Sequence, residues 1–118
     1  MSNNFAPYDP STLPSLVVTY LDAQQDHRYT DALAHFTPDA VVIDDGKTYR
    51  GIDEISQWLT RSVSEYEYIS TRIGQHQSGE AHVSVRIRLE GNFPGGAVAL
   101  RYLFELDAGK ISHLTITV

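Results

Sequence analysis

An acid at the end of an apolar run is where this sequence points most clearly to chemistry. Ala40-Val41-Val42-Ile43 reads as a strand that runs straight into Asp44 and Asp45. A carboxylate at the end of a buried strand is costly to desolvate, and such a placement points to function where the surrounding site is apolar. Two phenols face the same interior. Tyr20 lies on the apolar stripe of a helix, and Tyr102 alternates with Leu100 and Phe104 along a strand. Each also has a purely structural alternative. Asp44 fits a turn residue ahead of Gly46, Tyr20 fits a core phenol bonded to nearby backbone, and Trp58 fits a core residue as well as a ligand platform. Asp45 reads as turn or surface, and Asp53 and Glu54 as first-turn acids complementing a helix dipole.

Other chemistries find less to work with. No cysteine is present, which removes disulfides, thiolate nucleophiles and sulfur-ligated metals. The five histidines have no HxH or HExxH spacing, so no metal site is expected. Phosphate loop, nucleophile elbow and dinucleotide fingerprint are missing as well, and no cofactor is expected.

The elements that must position these residues follow from periodicity. Residues 1–12 read as a flexible polar arm and 13–118 as one domain. Leu13, Leu16, Val17, Tyr20, Leu21 and Gln24 form one face of a first helix, with Ser11 or Thr12 as its cap and Pro14 in its first turn. A short second helix is expected after Thr30 with Tyr29, Leu33 and Phe36 turned inward, stopped by Pro38. The Asp44-Asp45 strand end, a Gly46 turn and Tyr49-Arg50-Gly51 then lead to a third helix. Its face is Ile52, Ile55, Trp58 and Leu59. From Tyr66 the period changes to two. Val83, Val85, Ile87 and Leu89 alternate with polar residues, as do Val98, Leu100, Tyr102, Phe104 and Leu106, and Ile111–Val118 forms a last strand. Turns are expected at Ser78-Gly79, at 92–96 (NFPGG) and at 107–110. Helices first and a strand meander second give an α+β fold.

Composition narrows the partners. A net charge of −6 argues against nucleic acid and against anionic membranes, and no run is long enough to span a bilayer. The N-terminal residues lack the basic and apolar regions of a signal peptide, so a cytoplasmic location is the expectation.

The succession of acid, glycine, aromatic-x-Gly and helix in HFTPDAVVIDDGKTYRGIDEISQWL resembles the SnoaL-like branch of the nuclear transport factor two-like superfamily, over nearly the whole chain. The resemblance implies a curved antiparallel sheet wrapped around N-terminal helices, a cone-shaped α+β barrel with an apolar pocket. Ketosteroid isomerases of that superfamily place a tyrosine on the first helix and a carboxylate base at the end of the first strand. Tyr20 in VVTYL and Asp44 in AVVID match those positions. The chemistry needs a carboxylate to take a carbon-bound proton and neutral donors to hold the enolate oxygen. The strand that supplies a protonated acid in the isomerases corresponds to LRYLFEL, which offers Tyr102, or Arg101 one step away. The likeness therefore implies enolisation in general more than steroid isomerisation. Epoxide hydrolases of this fold use an Asp-Arg-Asp set, echoed only by Arg88-x-Glu90 on the polar strand face. The dehydratases use histidines, for which His82 and His113 are the candidates.

Two functions follow. One is an isomerase- or cyclase-like enzyme for a small apolar carbonyl compound, with Asp44 as base and Tyr20 and Tyr102 as oxyanion donors, in a pocket bounded by Phe36, Val42, Trp58, Leu100 and Phe104. The other is a non-catalytic ligand-binding or dimerisation module of the same fold. The resemblance also implies a homodimer through the outer sheet face, which carries Arg86, Arg88, Arg101, Glu90 and Glu105.

Overall fold

The computed structural model describes residues 5–64, 68–79, 81–91 and 95–118. A 3-10 turn (Pro10–Thr12) precedes α1 (Ser15–Gln25), α2 (Tyr29–Leu33), β1 (Phe36–Asp44), β2 (Lys47–Arg50) and α3 (Gly51–Ser64). Four strands complete the chain: β3 (Tyr68–Gln77), β4 (His82–Gly91), β5 (Ala97–Asp107) and β6 (Lys110–Thr117). Together the strands form one curved, unclosed sheet in the order β2-β1-β6-β5-β4-β3. All neighbours are antiparallel except β1 and β6, which run parallel. That pair joins the two ends of the α+β pattern, a long-range choice that local alternation does not encode.

The strands form for the reason their period gives. Val83, Val85 and Ile87 are buried on one face of β4, and Tyr102 and Phe104 on the same face of β5. Bulges adjust the other strands. The β5–β6 register slips at Ser112, whose hydroxyl donates to Glu105 O, so that Ile111 joins Leu114 and Ile116 on the inner face. The β3–β4 register slips at Ile73, which is left 43 % exposed.

The segment before Asp44 departs from the expected helix–turn–strand succession. Phe36 begins β1 instead of lying on α2, and Pro38 sits inside the strand. Proline has no N–H for the ladder, and the β1–β6 register is irregular between Phe36 and Val41, around this residue. The cap of α2 is Arg28, not Thr30, and Pro14 stands at the cap of α1, with Asp9 instead capping the preceding 3-10 turn through Ser11 N. α3 continues beyond Leu59 to Ser64 and buries Ile55, Trp58 and Leu59 against β1. Tyr66 and most of the NFPGG loop lie outside the described residues.

Residues from Phe5 onward are tied to the domain. Ala6 pairs with Gln75 on the outer edge of β3, and Gln75 accepts from Asp9 N (2.7 Å) and donates to Thr12 Oγ1 (2.7 Å). Arg72 adds bonds to Tyr8 Oη (2.9 Å) and to Asp22 on α1 (2.8 Å).

Candidate functional site

Paired residues of neighbouring strands point to the same face, so the register lays out the sheet's concave side in rows. One row reads Asp44, Ile116, Tyr102, Val85, Gln75, and the next Val42, Leu114, Phe104, Val83. Asp44 is the last paired inner residue of β1, because Asp45 and Gly46 form a two-residue turn with φ of 54° and 75° before Lys47 pairs back. Positive φ at both central positions is the hairpin geometry that Asp-Gly favours. Asp45 is exposed in that turn, as its alternation predicts.

Asp44 is half-buried, and its Oδ2 accepts a hydrogen bond from Trp58 Nε1 at 2.9 Å. Among the described residues Oδ1 accepts none. Burial pushes the carboxyl pKa above its ordinary value, the Trp58 bond opposes that rise, and Asp45 and Lys47 act in opposite senses. The Trp58 ring is buried, with Tyr49 of β2 tilted beside it at 6.3 Å between centroids.

Most of the remaining predicted residues form an aromatic cluster that spans the Asp44 row at Tyr102 and the next row at Phe104. Tyr20 is fully buried and meets Phe36 edge-on at 5.3 Å and Phe104 at 5.8 Å. Tyr102 is tilted against Phe104 at 6.4 Å. Val42 is buried in the Phe104 row, and Leu100 is half-buried on the same face of β5. Asp44 and Tyr102 are separated by one strand, roughly 10 Å between backbones at about 4.8 Å per strand spacing. The concave face of the sheet thus meets Trp58 of α3 at Asp44, and Tyr20 of α1 at Phe36 and Phe104, with Tyr102 beside Phe104.

The competing candidates lie elsewhere. His82 and His113 flank Glu105 on the outer face at 3.6 and 3.5 Å, and Arg88 meets Glu90 there at 3.4 Å. Among the described residues no group of acids and histidines could hold a metal ion, and no helix is long and apolar enough to cross a membrane. A cavity of about 450 Å³ opens away from all of these residues, between Pro14–Leu16 at the start of α1, Ala81 and the β5–β6 turn.

Sequence reasoning missed the polar contact of Trp58 and the buried amide of Gln75. The first had a signal, since a buried indole N–H needs an acceptor. The second had none, because Gln75 turns inward only after the Ile73 bulge.

The sequence profile of the SnoaL-like domain matches residues 17–114, and the chain belongs to that family. A candidate polyketide cyclase from Sinorhizobium meliloti is 30% identical over 93% of this chain and 100% of its own, with a TM-score of 0.87. A Catenulispora acidiphila protein with a ketosteroid isomerase-like fold, solved in complex with trimethylamine, is 22% identical (91% and 87% covered, TM-score 0.78). A candidate polyketide cyclase from Pseudomonas putida is 18% identical (89% and 90% covered, TM-score 0.77). The search of curated proteins finds no match.

Proposed function

We propose that this SnoaL-like protein catalyses proton transfer on a small apolar carbonyl compound, with Asp44 as the base and Tyr20 and Tyr102 as donors to the developing oxyanion. The observation that carries this proposal is Asp44 itself. It is a half-buried carboxylate on an apolar concave face, with burial raising its pKa and one oxygen left without a protein donor among the described residues. In the proposed step a C–H bond α to the carbonyl breaks and the proton passes to Asp44. The electron pair moves onto the carbonyl oxygen, to be held by phenol O–H groups. Reprotonation at another carbon completes an isomerisation, and attack of the enolate carbon on a second carbonyl completes an aldol closure. The candidate cyclases among the similar structures support this chemistry by family likeness.

The test is hydrogen exchange of 2-tetralone, an apolar ketone with acidic α-protons, followed by NMR in D₂O. Catalysed exchange that falls by about 10²–10⁴-fold in Asp44→Asn is the expected result. Exchange that is equal in wild type and variant would remove Asp44 from the role of base.

A second reading, a non-catalytic binding module, is favoured by the Trp58 bond, which ties one carboxylate oxygen into the protein. The same exchange assay separates the two, since a module binds without exchange. We also propose a homodimer through the outer sheet face. There Leu103 is 37 % exposed between a row carrying Arg86 and Arg101 and a row carrying His82, Glu105 and His113. A two-fold axis near Leu103 sets the arginine row of one copy over the Glu105 row of the other.

A further inference from the structure

We propose that Trp58 is a positioning residue for Asp44: its indole N–H holds Oδ2 and leaves Oδ1 as the atom that takes the proton. This rests on the proposed role of Asp44. The geometry comes from two elements that meet for independent reasons. α3 lies on β1 through Ile55, Trp58 and Leu59, one turn apart along a single face, and all three are buried. Asp44 is turned to the same side by the alternation of β1, and the two side chains meet at 2.9 Å. The indole has one donor and no acceptor, so the contact is directional, and the buried ring with Tyr49 against it has little freedom to rotate away. A lone carboxylate at a strand end rotates about its side-chain torsions and presents either oxygen. With Oδ2 engaged, one rotamer is selected and the basic lone pairs of Oδ1 are directed away from α3. The bond also favours the ionised carboxylate against the burial that disfavours it.

The opposite reading is that Trp58 fills the core and Asp44 is merely a convenient acceptor. The Trp58→Phe variant separates them, because it keeps an aromatic ring in the core beside Tyr49 and removes the N–H donor with part of the indole bulk. The measurement is a carboxyl-carbon NMR titration of Asp44 in wild type and variant, together with 2-tetralone exchange as a function of pH. The titration midpoint is expected to rise by about one pH unit. The acid limb of the exchange profile is expected to rise with it, and the plateau rate to drop about tenfold. An unmoved midpoint, or an unmoved exchange profile and rate, overturns the inference. Wild type needs no variant for a second check: the Trp58 indole N–H resonance must shift with the Asp44 midpoint, and its failure to do so is equally decisive against the proposal. If wild type exchanges no proton from 2-tetralone, the proposed reaction and the base-positioning role fall together. The two NMR titrations then still decide whether Trp58 controls the Asp44 carboxylate.

Discussion

At the scale of single residues, Asp44 couples stability to pH in the sense opposite to a salt-bridged acid. Its folded pKa is raised by burial, so between the ordinary carboxylate pKa and the folded value the native state binds more protons than the unfolded chain. Stability therefore falls as pH rises through that window and is flat above it. Asn at this position carries no charge to desolvate, and its side-chain oxygen still accepts from Trp58. Asp44→Asn is accordingly expected to melt at or above the wild-type temperature at pH 7, with the difference vanishing below the ordinary carboxylate pKa. Melting curves across pH check this, and a variant less stable at pH 7 than at pH 3, relative to wild type, would contradict it. Tyr20 makes a different demand. Its ring is held by Phe36 and Phe104, which Phe at position 20 would also satisfy. On the proposed function Tyr20→Phe lowers 2-tetralone exchange about 10²-fold, the effect of losing one oxyanion donor. Unchanged exchange would leave Tyr20 as a core residue only.

At the scale of elements, the strand edge at β3 depends on Gln75. Its amide serves both Asp9 N and Thr12 Oγ1, and a Cβ at neighbouring Gly74 would stand 3.2 Å from Ala6 O and Phe5 Cβ. Gln75→Ala is expected to cost about 1–3 kcal/mol. It should also speed amide exchange at Ala6 and Asp9, while that at Val42 changes only with global stability. Equal exchange at Ala6 would mean that the N-terminal segment is held by something other than this amide. β4 and β5 were legible in the sequence because one buried and one solvated face impose a strict period of two. The start of β1 was not, because Pro38 reads locally as a helix stop and only pairing with β6 makes Phe36 a strand residue. The same limit hid the partner of Asp44. Trp58 is 14 residues away on another element, and their contact depends on how α3 docks on β1. Asp44 itself was legible, since an acid closing an apolar run is a local feature.

At the scale of the whole molecule, the concave face carries the proposed chemistry and the outer face carries charge in rows. The order β2-β1-β6-β5-β4-β3 leaves the outer face of β4, β5 and β6 without a covering helix among the described residues. Leu103→Asp places an acid at the centre of that face and is expected to convert the proposed dimer to monomer at micromolar concentration, read as a halved mass by sedimentation velocity. A wild type that is already monomeric, or a variant of unchanged mass, would move any self-association away from this face.

The most direct test of the central claim, that Asp44 is the anionic group facing the ligand, is calorimetric titration with 2-naphthol, a planar mimic of an enolate. Wild type and Asp44→Asn are compared at neutral pH. Removing the charge relieves its repulsion of an oxyanion-like ligand held close by. Naphthol is expected to bind both proteins and to bind Asp44→Asn about tenfold or more tightly. Equal affinity for the two proteins, or binding to neither, would contradict it.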